Sequence, residues 1–514
     1  MATAESGIST PVGTVLAYAG RLNAGQLNEL GWAICDGASL PNNQHLELFE
    51  AIGTANGAAD AEHFNLPQLE GFFLRGLDPA GDVDGDVAKR VAAAPGGSAG
   101  ANVGSIQGYA TALAHNPFQA SVRSESGTHN SYKGTNADMI ESGSAQSFPS
   151  NKGGDAETRP LNAYVNFVIK TVASAPLLPG MVVAFAGNQV TDALKDSYLI
   201  CNGAAFGRSD FTQLYDALGP AHGSDGDKVN LPDYRGRFLR GASNGTGHDP
   251  DAATRTAMAP GGAVGDAVGS VQGGATALPV NPFQLTIKLG DTEWTSTHCA
   301  GHDLAAWNSG TETVSLTSTG GDKETRPVNV NVDHYVLCTQ EQGTDIFPIG
   351  ALIAFPGSQA APPPNQWMAC NGFQLSRTNP EVAQLFAAIG YTNGGDGADL
   401  FNLPDYRGYF LRGTDRSSGR DPDVAGRVAA LPGGQTGDNV GSKQGWSTAS
   451  PTKNLTADVA HLPTDDADNA AGWGQREVPS WDDPSNVTIT GGDDETRPLN
   501  ASVVFFIKYA QANA

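Results

Sequence analysis

One string of twelve residues occurs three times in this chain of 514 residues, and no other feature constrains the fold as strongly. It reads NLPQLEGFFLRG at residues 65–76, NLPDYRGRFLRG at 230–241 and NLPDYRGYFLRG at 402–413. Each proline keeps the residue before it extended, and the glycine in the middle permits a turn that a side chain would block. A repeat on this scale predicts three copies of one module rather than a single large fold.

The last residue but one in each copy of the string is an arginine that follows two apolar residues: Arg75, Arg240 and Arg412. The apolar pair can anchor the stretch in a core while the guanidinium reaches a carboxylate or backbone carbonyls. Because the same arginine is present in every copy, we interpret these three as structural residues of a packed junction rather than as ligand-binding residues.

The rest of the chain falls into register with the string. After a leader at residues 1–10, the modules comprise residues 11–170, 178–338 and 347–508. Each begins with an apolar strand, which is followed by an aromatic residue three positions before a cysteine. A short helix comes next, and the module ends in ETRP followed by an apolar strand. The 65 glycines and 31 prolines indicate many turns and short strands. We therefore predict a mainly β fold with short helices (α+β) in three tandem modules.

The closing motif places a glutamate two residues before an arginine in every module, and we expect a Glu–Arg contact within or between modules. The residues are Glu157, Arg159, Glu324, Arg326, Glu495 and Arg497. Three equivalent cysteines, Cys35, Cys201 and Cys370, are expected to be buried singly. Cys299 and Cys338 could pair, but nothing in the sequence requires it.

Between the string and the closing motif the modules cease to resemble one another. These variable segments are residues 108–153, 273–320 and 445–491, rich in Ser, Thr, Asn and Gly. Tryptophan is most often a core residue, but the packing of a repeated frame does not explain aromatic rings in unmatched polar segments. Exposed rings beside Asn, Asp and Ser suit the face of a sugar. The predicted glycan-binding residues are Tyr132, Trp294, Trp307, Trp446, Trp473 and Trp481.

Several classes of function are disfavoured. The net charge of −24 and the absence of a basic stripe argue against a nucleic-acid partner. No apolar run is long enough to insert into a membrane, and the leader lacks the basic start and apolar core of a secretory signal. No histidine recurs with a nucleophile across the copies, so we predict no catalytic residues and no enzyme.

No cofactor is predicted, with calcium as the alternative. The sequence DVDGD at residues 82–86 resembles the start of a calcium loop, but its glycine is misplaced and Ala93 stands where a glutamate should close it. The other modules offer only DPD, at residues 249–251 and 421–423. We interpret all three as solvated acidic turns. His298, Cys299 and His302 lack a fourth ligand, so no metal site is predicted there.

The frame of an aromatic residue before CDG, a short helix and FNLPD-RG-FLRG resembles the phage tail collar domain. The ending ETRPxN with an apolar strand is similar to the distal ends of phage tail fibres. The resemblance implies a receptor-binding fibre or tip protein in a virion tail or an extracellular contractile injection particle. Such a protein adheres to a cell-surface glycan or lipopolysaccharide without catalysis, and contacts tail or baseplate proteins. The alternative is a structural collar or baseplate component that docks other tail proteins.

Fibres of this family are trimers of chains with one module each, often with His-x-His pairs that hold metal at the tip. Here three modules share one chain, and only His115 remains in the equivalent segments, so no tip metal is expected. We hypothesise that the three modules wrap about a pseudo-threefold axis in place of a homotrimer, which would free each tip to differ. The competing arrangement is three modules in series, each forming trimers with other chains.

Overall fold

The fold was obtained as a computed structural model, and it is mainly β with a few short helices, as predicted. No helix among the described residues is long and apolar enough to cross a membrane. The structure describes residues 11–19, 24–84, 87–112, 145–152, 162–186, 197–276, 283–288, 311–315, 329–338, 349–355, 366–448, 456–460, 487–498 and 500–508, with the single positions 158, 160, 325, 327 and 347.

Each module is built on three antiparallel strands, with the last strand of the module in the middle. Most of their apolar and β-branched residues are buried, as expected for strands inside a packed body. The first strands are Val15–Tyr18, Met181–Phe185 and Ala351–Phe355; the second strands are Trp32–Ile34, Tyr198–Ile200 and Trp367–Ala369; the closing strands are Asn162–Lys170, Asn329–Leu337 and Asn500–Lys508.

A short helix follows the second strand in every module and buries one apolar face. In the third module the Asn379 side chain accepts a hydrogen bond from the Glu381 amide at 3.0 Å and caps the turn before the helix. A glycine ends each of these helices. The helices are Ala24–Glu29, Leu46–Ile52, Thr212–Leu218 and Ala383–Ile389, and the 3-10 turns are Val87–Lys89, Gly219–His222, Ala252–Thr254, Pro380–Val382 and Val424–Gly426.

Short strands lie on either side of the repeated string. One set pairs across the helix, and the other forms a hairpin after the string. The first set is Ser39–Pro41 with His63–Asn65, Ala205–Gly207 and Ser224–Asp225 with Lys228–Asn230, and Gln374–Ser376 with Leu400–Asn402. The hairpins are Val91–Ala92 with Ser105–Gln107, Thr256–Ala257 with Ser270–Gln272, and Val428–Ala429 with Ser442–Gln444.

The end of the repeated string forms what we call the ring strands: Phe73–Gly76, Phe238–Gly241 and Phe410–Gly413. They pair with one another in a cycle, first with second, second with third and third with first. The three phenylalanines, one from each module, form a buried cluster. A Cβ on Gly241 would collide with the Leu69 carbonyl of the first module, so the close approach of the strands requires glycine there.

Each closing strand runs parallel to the ring strand of the next module. The first module pairs with the second, the second with the third, and the third with the first. The first strands also meet in a cycle. The three modules of one chain therefore close round a pseudo-threefold axis, as hypothesised, and are not strung in series. One apolar core combines residues of all three modules, including Val165, Val332 and Val503.

The variable segments contribute a second layer, a six-stranded sheet that we call the interleaved sheet. It contains strands from all three modules, and every pairing among them is antiparallel. The strands are Ala110–Ala112, Ala145–Lys152, Phe283–Lys288, Thr311–Ser315, Thr456–Ala460 and Val487–Arg497.

Candidate functional site

The ring arginines connect neighbouring modules. Arg240 is fully buried, and its Nε donates to the carbonyl of Gly71 in the first module at 2.8 Å. Its guanidinium carbon lies 5.2 Å from the centre of the Phe73 ring, and its Nη1 lies 3.3 Å from Asp249 Oδ2. Equivalent contacts recur for the two other ring arginines, Arg75 and Arg412.

A second buried arginine shares the same carboxylate. Arg255 Nη1 lies 3.1 Å from Asp249 Oδ2 and donates to Asn162 Oδ1 of the preceding module at 2.8 Å. Asn162 is the asparagine of the ETRPxN motif, and its Nδ2 donates to the carbonyl of Pro160. Burial lowers the pKa of Arg255 to about 10, so the side chain stays charged at neutral pH. Arg90 and Arg427 occupy the same place in the other modules.

The interpretation of DVDGD and the two DPD sequences as solvated acidic turns is wrong for three of their carboxylates. Asp84, Asp249 and Asp421 are at most 3% exposed, and each lies between two arginines. A buried carboxylate requires such partners, but the second arginine comes from a hairpin whose position the sequence does not show. Calcium at residues 82–86 would need Asp84, which the arginines already engage.

The predicted Glu–Arg contacts of the closing motif lie outside what the structure describes. Glu157, Arg159, Glu324 and Arg326 fall outside the described residues, and the side chains of Glu495 and Arg497 are not described. The neighbouring threonine of the motif is buried in each module and contacts a second threonine, as in the Thr276–Thr325 pair at 2.6 Å.

The interleaved sheet brings its variable segments to one edge. Register places Lys288 opposite Ala145, and Ile287 opposite Val487. Thr311 lies opposite Ala460. The other ends of the strands lead into the body, since Arg497 lies opposite Ala110. Five of the six strand ends that lead into the most divergent residues therefore share one edge, which we call the distal edge: Ala145, Lys288, Thr311, Ala460 and Val487. The sixth, Ala112, lies opposite Gly492.

Five of the six predicted glycan-binding residues lie outside the described residues, in the stretches joined to the distal edge. They are Tyr132, Trp294, Trp307, Trp473 and Trp481. Trp446 is described, and it is not at that edge. It is half-buried, two residues before Thr448, whose hydroxyl contacts Thr496 at the opposite end of the sheet. His298, Cys299 and His302 also lie outside the described residues, whereas Cys35, Cys201 and Cys370 are buried and unpaired, as expected.

Several residues depart from the threefold pattern, and none of them was predicted from the sequence. His222 Nε2 contacts the carbonyl of Ala19 in the first module at 2.8 Å, and burial lowers its pKa to about 4. Asp333 accepts hydrogen bonds from Arg416 and Thr414 of the third module. Aligning the modules by the repeated string would have revealed these positions as departures from the shared frame.

A cavity of about 70 Å³ lies on the axis between the first strands and the ring strands. Its lining is apolar and comes from all three modules, apart from one histidine. Phe167, His334 and Phe505 are the equivalent residues there. His334 Nδ1 is buried with no hydrogen-bond partner among the described residues, and burial lowers the pKa of His334 to about 4. No group of three or more His, Cys, Asp or Glu in the described part of the chain could hold a metal ion.

Comparison with known families agrees with this threefold architecture. The model of the phage tail collar domain matches residues 13–74, 180–239 and 350–411. The chain contains three tandem phage tail collar domains. The match in each module runs from the first strand into the ring strand, whereas the closing strand lies outside it. The collar domain is a structural domain of fibres and not a known enzyme family, and it indicates a component of a phage tail.

A relative covers only part of the chain. Protein RhiB of Rhizobium leguminosarum bv. viciae is 35% identical to this chain over 146 residues, which are 27% of this chain and 64% of RhiB. The chain thus spans less than two thirds of that relative's length. No solved structure matches the chain.

Proposed function

We propose that this protein is the receptor-binding tip of a phage tail or of a related contractile injection particle. It adheres to a cell-surface glycan or lipopolysaccharide without catalysis. The observation that supports this most is the distal edge, where the segments that differ between modules depart from a body whose contacts repeat. A rigid body that presents unlike segments together suits recognition of one target by several loops.

Because the three modules belong to one chain, their binding loops can differ from one another. A homotrimer presents three identical loops, and its axis passes through a site made of identical residues. Three modules in one chain can present three different loops to one asymmetric target. Tryptophan and tyrosine in those loops can stack on the C–H face of a sugar, and the neighbouring Asn, Asp and Ser can bond its hydroxyls.

The test is binding of the full chain to a glycan array and to intact bacteria. We expect alanine at Trp473 or Trp481, or at Trp294, Trp307 or Tyr132, to lower the affinity at least about tenfold for one or more of these residues. Trp446→Ala is the matched control, because Trp446 lies half-buried at the body end of the sheet. Its affinity should stay within about twofold of the unchanged chain.

Two outcomes would count against this function. Equal loss in all variants, including Trp446→Ala, would indicate a folding defect rather than a binding site. Absence of any glycan or cell binding, together with tight binding to a purified tail or baseplate protein, would support the structural collar or baseplate role instead.

A further inference from the structure

The axial cavity of about 70 Å³ has a nearly threefold lining with one departure. Each module contributes a leucine of its ring strand and an alanine of its first strand: Leu74, Leu239 and Leu411, with Ala17, Ala184 and Ala354. From the closing strands, two modules contribute Phe167 and Phe505, whereas the second contributes His334. The imidazole is the one polar side chain among the described residues of the lining.

His334 has hydrogen-bonding capacity that the described residues do not use. It is only 6% exposed, and its Nδ1 has no hydrogen-bond partner among those residues. Burial lowers the pKa of His334 to about 4, so the ring is uncharged at neutral pH and has one donor and one acceptor nitrogen. Because an unsatisfied buried polar group costs stability, a ligand that bonds the imidazole would recover part of that cost.

The lining suits a small apolar molecule better than water. A buried water needs about two to four polar partners, and the lining side chains supply only the imidazole. Apolar cavities stay dry and take up small apolar molecules or xenon. Since a cavity of about 150 Å³ in another protein holds benzene, one of about 70 Å³ has room for about three or four heavy atoms.

A molecule of this size can enter, because the cavity is only partly enclosed and its walls join at few points. Neighbouring ring strands are paired at one position each, as Phe238 is with Arg412. Neighbouring first strands are paired at one or two positions. Small local openings between modules are therefore sufficient for entry and leave most of the sheet pairing intact.

We propose that the axial cavity binds a short-chain alcohol, a neutral molecule of about three or four heavy atoms with an apolar body and one hydroxyl group. The apolar body contacts the leucines and phenylalanines, and the hydroxyl forms a hydrogen bond with the imidazole of His334. Because the lining comes from all three modules, the bound molecule also stabilises the closed ring. A trimer of identical chains could not present a single polar group to its axis in this way.

The experiment is NMR of the full chain with isotope-labelled leucine and valine methyl groups, titrated with isopropanol and separately with dissolved xenon. We expect saturable shifts at Leu74, Leu239 and Leu411, with half-saturation on the order of 1 mM isopropanol. A general solvent effect would instead grow linearly with concentration and reach methyl groups throughout the chain. Xenon should shift the same methyl groups, and isopropanol should displace it.

Two substitutions of His334 separate the cavity from the hydrogen bond. His334→Phe gives the second module the residue of the other two, fills part of the cavity and should abolish saturation by both probes. His334→Leu removes both nitrogens at similar volume, so it should keep the xenon shifts and weaken isopropanol binding about fivefold. His222→Asn is the control, because His222 is equally buried but does not line the cavity, and it should bind both probes unchanged.

The proposal is overturned if isopropanol gives no saturable shift in the unchanged chain, whether or not xenon does. This result needs no variant, so it stands even if a substitution prevents folding. Equal isopropanol affinity in His334→Leu and the unchanged chain would also overturn it. These results are independent of receptor binding, because the cavity lies between the first strands and the ring strands and not at the distal edge.

Discussion

The ring strands and the axial cavity lie along the same pseudo-threefold axis, but the three modules contribute identical residues to the first and different residues to the second. At the ring strands each module places the same arginine, the same aspartate and the same phenylalanine. At the cavity, two modules place phenylalanine and the second places His334. The ring strands therefore have the same contacts in all three modules, whereas the cavity contains one residue that has no counterpart in the other two modules.

This contrast shows what a single chain permits. In a trimer of identical chains a histidine near the axis would be present three times, and three buried imidazoles would together have to be desolvated. In this chain the second module alone carries the substitution. Residues shared by all modules are thus expected to stabilise the closed ring. Residues found in one module only are expected to have local effects, so substituting them should leave the ring closed.

The largest effect is expected from a ring arginine. Arg240→Met removes the donor to the Gly71 carbonyl and one of the two cations at Asp249. Breaking a buried ion pair by removing one partner costs about 3–5 kcal/mol of unfolding free energy. Urea unfolding followed by tryptophan fluorescence measures it, and the same change at Arg75 or Arg412 should cost a similar amount.

Arg235→Met is the control for this prediction. Arg235 is half-buried, and Asp233 would keep its contact with Arg420, so the loss should be below about 1 kcal/mol. Equal losses at Arg240 and Arg235, or very unequal losses at the three ring arginines, would contradict the symmetric role of the ring.

The sequence was sufficient to predict the three modules and most of their strands, because the repeated string, the glycines and the apolar runs are local signals. The sequence left two arrangements possible, the closed ring and three modules in series. It could not decide between them, because pairings such as that of Phe238 with Arg412 join residues far apart in sequence. The double pairing of Asp249 was missed for a different reason. Arg240 and Arg255 belong to the same module and are close to Asp249 in sequence, but the turns that bring both guanidinium groups to its carboxylate are not evident from the sequence.

The candidate site was predictable only in outline. Divergence between the modules was enough to identify the variable segments. The shared edge of their strands could not be predicted, because it depends on pairing between modules, such as that of Phe148 with Leu285. Trp446 follows the VGSKQ stretch of the third module after one glycine, Gly445, and it is half-buried near the body end of the sheet although its neighbours in sequence are polar. Composition alone therefore does not show how far an aromatic residue of a variable segment is exposed.

An intermediate effect is expected from His222, and it depends on pH. The pKa of His222 is about 4 in the folded chain and about 6.5 in the unfolded chain. Between those values the unfolded state binds a proton that the folded state does not, so stability falls as the pH drops from about 6.5 to about 4. The loss is about 3 kcal/mol for this one histidine.

His222→Asn should remove that part of the acid sensitivity, because Asn56 and Asn393 already occupy the equivalent positions. Urea unfolding at pH 7 and at pH 4.5 measures the difference, with His45→Asn, at a partly exposed position, as the control. An unchanged pH dependence in His222→Asn would show that the acid sensitivity originates elsewhere.

The smallest effect is expected at the cavity, and it has the opposite sign. His334→Phe replaces an imidazole whose Nδ1 has no hydrogen-bond partner among the described residues with the residue found at Phe167 and Phe505. Removing an unsatisfied buried group and filling part of the 70 Å³ cavity should raise the unfolding free energy at pH 7 by about 1 kcal/mol. The reverse change, Phe505→His, should lower it by a similar amount or more. If His334→Phe were destabilising instead, the cavity would be matched to the imidazole, and the departure from threefold symmetry would have a structural role of its own.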